Sequence, residues 1–316
     1  MGRENPKISV IICAYTMERL NDIHEAVNSV LAQTLKPYEI IISIDHNEKL
    51  FQRLRDELPG KIKIVNNNGV QGVAETRNLG IRAATGDITT LMDDDAVAQS
   101  DWLRSLVEPI RSRHAAVVGG KCNLIWLGGK HPFWFPEELD WIVGGTYKGL
   151  PLNGNEIRNV SGCNMACATE VFGQVGFFSS DIGAVKGNRR GGEEAEFCLR
   201  VKRAMPDRKI LYEPDAVVYH KVPSWRMTLK YVIKRSFDEG FSKAKLETLV
   251  SSPNPLSTET SYLCYLLFTS IPQRLKRFYK KGSLSQVGAI IVSIAATGVG
   301  YLAGRVKYMM RITDDH

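Results

Sequence analysis

The chain opens as short apolar runs separated by amphipathic stretches. Ile8 to Ala14 is a nearly unbroken apolar run, the pattern of a strand covered on both faces of a parallel sheet. Ile23, Val27, Val30 and Leu31 then recur at helical spacing. A second run, Glu39 to Ile44, ends at Asp45. The pattern predicts a helix over Lys49 to Leu58, a strand over Lys61 to Val65, a helix over Val73 to Ala84 and a strand over Asp87 to Met92. That last strand runs straight into Asp93, Asp94 and Asp95. Alternation of this kind predicts an α/β fold, a doubly wound, mostly parallel sheet flanked by helices. Ligands of such sheets sit beyond the C-terminal strand ends, where Asp45 and the aspartate triplet fall.

Beyond residue 115 the pattern loosens into Gly-rich and aromatic segments. A strand is predicted around Val117 to Gly120, a helix over Ala195 to Met205 and a short strand over Ala216 to His220. From Ser224 the helices become basic, and Val287 to Ala303 carries no charge. These shifts divide the chain into 1–115, 116–223, 224–283, 284–304 and a tail, 305–316.

Leu284 to Ala303 just reaches the ~20 residues a membrane span needs; a buried core helix is the open alternative. More basic residues precede this segment than follow it, which places the N-terminal region on the cytoplasmic side of the cell membrane. The net charge is +7 over 316 residues. Much of it gathers in the C-terminal helices, as on a surface facing anionic lipid, so no nucleic-acid partner is expected. No apolar leader is evident at the N-terminus, and no secretory signal is expected. The six cysteines are scattered, without a CxxC pair. They read as buried thiols in a reducing compartment.

Candidate chemistry gathers in two acidic clusters. Three adjacent carboxylates at a strand end repel one another unless a cation intervenes. Mg²⁺ or Mn²⁺, held by one or two carboxylates and substrate phosphates, suits Asp93 and Asp95. Alone, the triplet also fits a solvated acidic turn, a phosphatase or a nuclease. Glu193 and Glu194 form the second cluster, and Glu194 is the candidate general base; a first turn made acidic for the helix dipole is the alternative. Arg77 either reaches phosphate, holds the aspartates or makes a surface ion pair. His220 either ligates a metal, touches phosphate or is structural. Tyr15 is placed to stack on a base, and Asp45 to accept a hydrogen bond from one.

Pro6–Tyr15, Ser29–Thr34, Glu75–Ile81, Ala84–Asp87, Leu91–Asp95 and Gly192–Arg200, in this order, resemble the family 2 glycosyltransferases of the GT-A fold. The resemblance covers about residues 6–222. It implies a nucleotide-sugar-binding half over 1–115 and an acceptor-binding half over 116–223; the basic and apolar composition beyond them reads as membrane-proximal helices over 224–283 and a membrane segment over 284–304. The resemblance implies donor binding by Tyr15 and Asp45, metal binding by Asp93 and Asp95, and catalysis by Glu194; the candidate residues beside these are Ala14, Glu18, Arg77, Asp93 and Asp94 for the donor, His220 for the metal and Glu193 for catalysis. The usual base is Asp where this chain has Glu194.

Ala14–Arg19, Asp94–Ala98, Trp141–Gly145, Ser257–Arg274 and the C-terminal apolar segment are similar to a narrower group, the archaeal-type glucosyl-dolichyl phosphate glucuronosyltransferases. That likeness implies an inverting, metal-dependent transfer of glucuronate from UDP-glucuronate to a lipid-linked saccharide at a membrane. Another UDP- or dTDP-sugar and a cell-surface polysaccharide form the alternative, and a non-catalytic nucleotide-sugar-binding protein the rival class.

Overall fold

In the computed structural model, residues 6–185, 190–250 and 254–314 are described, with side chains as far as Tyr308. Contacts group the chain into two units, Met1–Asn123 with Gly154–Asn188 and Glu193–His220, and Leu124–Asn153 with Arg189–Gly192 and Lys221–His316. Leu124–Asn153 therefore groups with the C-terminal helices, whereas the sequence boundaries fall at 116 and 224.

The first unit is built on an eight-stranded sheet. Its strands are β1 (Ile8–Ala14), β2 (Glu39–Asp45), β3 (Lys63–Asn67), β4 (Ile88–Asp93), β5 (Ala96–Ala98), β6 (Ala115–Trp126), β7 (Asn164–Ala168) and β8 (Lys209–Val222). The order is β3-β2-β1-β4-β7-β6-β8-β5. β1, β2, β3 and β4 are parallel, whereas β7 is antiparallel to β4 and to β6, and β5 to β8. The helices are α1 (Leu20–Leu31), α2 (Glu48–Glu57), α3 (Val73–Ala83), α4 (Trp102–Ser112), α5 (Glu170–Val175) and α6 (Glu193–Ala204).

Two apolar layers cover the sheet. Ile23, Val27 and Val30 of α1, Leu50 and Leu54 of α2, and Trp102, Leu103 and Leu106 of α4 pack with Val10, Ile12, Ile42 and Ile44. Ile81 of α3, Val171 and Phe172 of α5, and Phe197, Cys198 and Val201 of α6 pack with Ile11, Ile41 and Leu91. β1 and β2 divide their residues between the two layers, which is why they read as continuous apolar runs. Each fully buried Val, Ile or Leu contributes about 1.5–3 kcal/mol.

Two details set the strand ends in place. A Cβ on Gly80 would lie 2.5 Å from Ile11 Cγ2, so glycine lets α3 rest close on β1. The α1–α4 junction anchors the segment after the aspartate triplet. The Ala98 N–H donates to Ser29 Oγ (3.0 Å), Gln33 Nε2 donates to the Gln99 carbonyl (2.7 Å), and the Leu103 N–H donates to Gln33 Oε1 (3.0 Å).

The second unit contains α7 (Leu229–Leu249), α8 (Ser257–Tyr265), a π-helical turn (Leu266–Ser270), α9 (Ile271–Lys276) and α10 (Ser283–Asp314). Phe135, Leu139, Ile142 and Val143 pack with Val232 of α7 and Ala289 of α10. Glu138 is fully buried, and Arg274 and Ser270 satisfy its carboxylate. The first of the basic helices expected from Ser224 starts at Leu229, after a 3₁₀ turn over Ser224–Arg226. α10 runs through the predicted tail.

Candidate active site

The ends of β4, β5 and β8 bring Asp93, Asp95 and His220 together. β5 pairs antiparallel with β8, with Ala96 opposite His220, so the histidine lies beside the residue preceding Ala96. His220 Nε2 is 3.3 Å from Asp95 Oδ1. One ligand atom from each of Asp93, Asp95 and His220 lies within 4.8 Å of the others. Asp95 and His220 are buried and Asp93 half-buried. His220 Nδ1 is enclosed and has no hydrogen-bond partner among the described residues. Two carboxylates and an imidazole form a donor set that fits a first-row divalent ion such as Mn²⁺.

Asp94 points elsewhere. Arg19, at the turn between β1 and α1, donates to Asp94 Oδ1 (2.5 Å) and pairs with Asp95 Oδ2 (2.7 Å). Its guanidinium also lies 5.3 Å from the Tyr15 ring centre. Burial pushes the Asp94 carboxyl up to about 7, against the pull of Arg19 and with a further push from Asp95. Enclosure also raises Asp93, opposed by Arg77. Asp94 and Asp95 are thus enclosed and Asp93 is half-buried, so the triplet is not a solvated turn.

Arg77 is the hub between the acidic clusters. It lies on the sheet-facing side of α3 and is only 4% exposed, so the surface ion-pair alternative is excluded. Nη1 is 2.7 Å from Glu193 Oε1 and 3.1 Å from Glu194 Oε1, and Nη2 is 3.7 Å from Asp93 Oδ1. Gly162 lies against the guanidinium, where a Cβ would fall 2.4 Å from Arg77 Cζ. The Gly162 N–H donates to Glu194 Oε1 (3.1 Å).

The two glutamates are not equivalent. Glu193 is buried, and burial first, then the charge of Glu194, pushes its carboxyl up to about 8. The elevated carboxyl is therefore Glu193. Glu194 keeps 19% of its side chain exposed. Beside them, burial raises the Cys13 thiol to about 12, which keeps it protonated.

Asp45 anchors a second network at the ends of β2 and β3. It accepts from Asn67 Nδ2 (3.1 Å) and the Gly72 N–H (3.2 Å), and His46 Nδ1 lies 2.8 Å from Oδ1. His46 holds a left-handed backbone, φ 50°, a small strain that turns the chain out of β2. Ala14 ends β1 buried, whereas Tyr15 and Glu18 are exposed. These residues share the C-terminal edge of the parallel strands with Asp93. Arg190 is occupied on α7, 3.5 Å from Asp238 and 3.7 Å from the Phe241 ring centre. The Gly-rich sequence around Arg189 and Arg190 reads as a loop able to close over the donor, and Arg189 lies outside the described residues.

Arg19 is the functional candidate that residue patterning did not single out. It appears in the sequence only as the last residue of the Ala14–Arg19 motif, and its partners lie 75 and 76 positions away.

Known proteins share this frame. A glucosyl-dolichyl phosphate glucuronosyltransferase of Haloferax volcanii is 35% identical over 304 residues, covering 94% of this chain and 96% of the relative. Succinoglycan biosynthesis protein ExoM of Rhizobium meliloti is 26% identical over 253 residues, 78% of this chain and 77% of the relative. The mannosyltransferase PcManGT of Pyrobaculum calidifontis, solved in complex with GDP-Man and Mn²⁺, has the same fold, with a TM-score of 0.63 at 18% identity over 94% of this chain and 87% of that one. The model of "Glycosyl transferase family 2" matches residues 9–176, which takes in β1, the parallel strands, the aspartate triplet and β7. With that match and the full-length likeness to the Haloferax protein, the chain belongs to glycosyl transferase family 2 and is a glycosyltransferase of the GT-A type.

Proposed function

We propose that this glycosyltransferase moves glucuronate from UDP-glucuronate, with inversion, to a saccharide carried on a polyprenyl phosphate such as glucosyl dolichyl phosphate, at the cytoplasmic face of a membrane. The observation that carries the chemistry is the convergence of Asp93, Asp95 and His220 beside the Arg77–Glu193–Glu194 cluster. Donor and acceptor identity rest on the 35% identity, nearly end to end, with the Haloferax enzyme.

Asp93, Asp95 and His220 are the residues that would hold a divalent ion, Mn²⁺ or Mg²⁺. When bound, such an ion supplies positive charge to the leaving diphosphate. Arg19 restrains Asp95 from behind and neutralises Asp94, so the donor set is held in place without the substrate. Tyr15 offers an exposed ring for the uracil, and Asp45 a carboxylate held by Asn67 and Gly72 to accept from its edge.

Glu194 is the proposed base. Glu193 retains its proton near neutral pH and is a poor acceptor. Glu194, fixed by Arg77 and the Gly162 N–H and still reached by solvent, takes the proton of the acceptor hydroxyl as that oxygen attacks the anomeric carbon. UDP leaves from the opposite face, which gives inversion.

The test is transfer from a panel of labelled UDP- and dTDP-sugars to glucosyl phosphopolyprenol, with Mn²⁺ and with chelator. Metal-dependent transfer from UDP-glucuronate alone, abolished in Asp95→Ala, is expected. Transfer from a different UDP- or dTDP-sugar keeps the site and favours the polysaccharide alternative, which the ExoM likeness supports. Undiminished transfer by Asp95→Ala would refute the metal assignment.

A further inference from the structure

α10 has the length and composition of a membrane span, its most apolar 18-residue window within Ser283–Tyr308 having a mean hydropathy of 1.8. Only 33% of its most apolar window is buried, so it is not a core helix. Yet it is joined along its length to α7. A Cβ on Gly240 would lie 1.9 Å from the Thr297 carbonyl oxygen, one on Gly300 2.1 Å from that of Phe237, and one on Gly304 2.7 Å from Ala244 Cβ. The Ser236 and Ser293 hydroxyls meet at 2.8 Å inside the seam. Further along, Tyr301 Oη donates to Glu247 Oε2 (2.7 Å) and Arg305 pairs with the same oxygen (3.1 Å). Residue numbers rise together across these contacts, so the two helices run parallel and in step.

That pairing decides how α10 can meet a bilayer. Over the same stretch α7 carries Lys230, Lys234, Arg235, Asp238, Glu239, Lys243, Lys245 and Glu247. Several are paired along its own surface, Lys234 with Asp238 at 3.1 Å, Arg235 with Glu239 at 2.8 Å and Lys243 with Glu239 at 2.9 Å. If α10 crossed, α7 would enter the hydrocarbon with these ions, or the close-packed glycine seam and its buried serines would have to part.

α10 also has a free face. Leu284, Ile291, Val299, Leu302 and Val306 are each 53–64% exposed. Their spacing of 7, 8, 3 and 4 keeps them on one side of the helix. Gly288, Ala295 and Gly298 fill that side between them, exposed and uncharged. Exposed Lys276, Arg277, Lys280 and Lys281 precede this stripe, with Phe278 and Tyr279 at 65% and 72% exposure among them. Arg305 and Lys307, both exposed, close it. An apolar stripe bounded by cations and interfacial aromatics complements an anionic lipid surface.

We infer that α7 and α10 form one in-plane unit that lies on a single leaflet of an anionic membrane, with the Leu284–Val306 stripe among the acyl chains and no crossing of the bilayer. The inference rests on the membrane setting of the proposed function and is independent of which sugar is transferred. An in-plane helix keeps the stripe at one shallow depth, ~5–10 Å into the headgroup and acyl boundary.

The test uses the full chain with Cys264→Ser and one added cysteine at a time, Leu284→Cys, Ile291→Cys, Ala295→Cys, Leu302→Cys or Val306→Cys. Each carries an environment-sensitive fluorophore and is read by depth-dependent lipid quenchers in vesicles of phosphatidylglycerol and phosphatidylcholine. A flat, shallow depth profile is expected. Leu302→Asp should lower the vesicle partition coefficient at least tenfold, and phosphatidylcholine alone or high salt should weaken binding similarly. A profile that passes through the bilayer centre near Ala295 would overturn the inference. So would vesicle binding unchanged by Leu302→Asp, or no vesicle binding together with a dimer that Leu302→Asp dissociates. None of these readouts uses sugar transfer, so a failed donor assignment and a failed membrane assignment are distinguishable.

Discussion

Replacing Arg77 with methionine isolates the step that ties the two acidic clusters together. The side chain is 4% exposed and contacts Glu193, Glu194 and Asp93 at 2.7, 3.1 and 3.7 Å. Breaking a buried ion network from one side costs ~3–5 kcal/mol, because the remaining charges lose their compensation. Glu193, raised to about 8 by burial first, is protonated at neutral pH and adds little to that cost. The carboxylates left behind are Glu194 and Asp93, whose side chains are 19% and 32% exposed and partly reached by water. The loss is therefore at the low end, ~3 kcal/mol, which for a unit of this size is roughly a 6–12 °C drop in melting temperature. Thermal melts by circular dichroism at pH 7 measure it. Arg77→Met with Glu194→Gln should recover about half of the drop, since it removes the charge that the first change strands. Arg77→Lys should not recover it, because an ammonium cannot fork between the two glutamates. A drop under 2 °C, or a double variant no more stable than the single, would refute the hub argument.

Glu193 makes stability pH-dependent. Its carboxyl holds a proton up to about 8 when folded and releases it near the usual carboxylate range when unfolded, so its stabilisation is complete at low pH and lost as pH rises through 8. The wild-type melting temperature should fall between pH 5 and 9 more steeply than that of Glu193→Gln; equal slopes would contradict the assignment. In the α7–α10 seam, Gly300→Ala should cost ~1–3 kcal/mol by overpacking against the Phe237 carbonyl. Gly298→Ala, with open space around it, should be neutral or stabilising by ~0.5–1 kcal/mol, and urea unfolding that ranks the two the other way would break the seam model. Cys264 is exposed, Cys13 is raised to about 12, and the other four thiols are buried. Ellman's reagent should find one fast thiol in the native protein and the rest only after unfolding; a second fast thiol would be the wrong result.

The family and the parallel half of the sheet were legible because they are local. β1, β2 and β4 are covered on both faces, so each is a continuous apolar run, and the aspartate triplet lies where β4 stops. The antiparallel half was legible only in fragments. β6 and β8 extend well past the predicted Val117–Gly120 and Ala216–His220 because their outer residues include Lys121, Glu213 and Asp215, which break an apolar run. β5 and β7 are too short to carry a period, and the apolar face of α4, Trp102, Leu103 and Leu106, is interrupted in sequence by Arg104 and Ser105 and shows only in the packing. The sequence by itself determined which carboxylates, which histidine and which arginine stand at strand and helix ends. Tertiary structure alone decided who meets whom. Arg77 and Glu193 are 116 positions apart, Arg19 and Asp94 75 apart, and Ser236 and Ser293 57 apart. It also decided that α10 is half of a pair: hydropathy counts the residues of one helix, whereas the cost of crossing a bilayer depends on the charges of the helix bound to it.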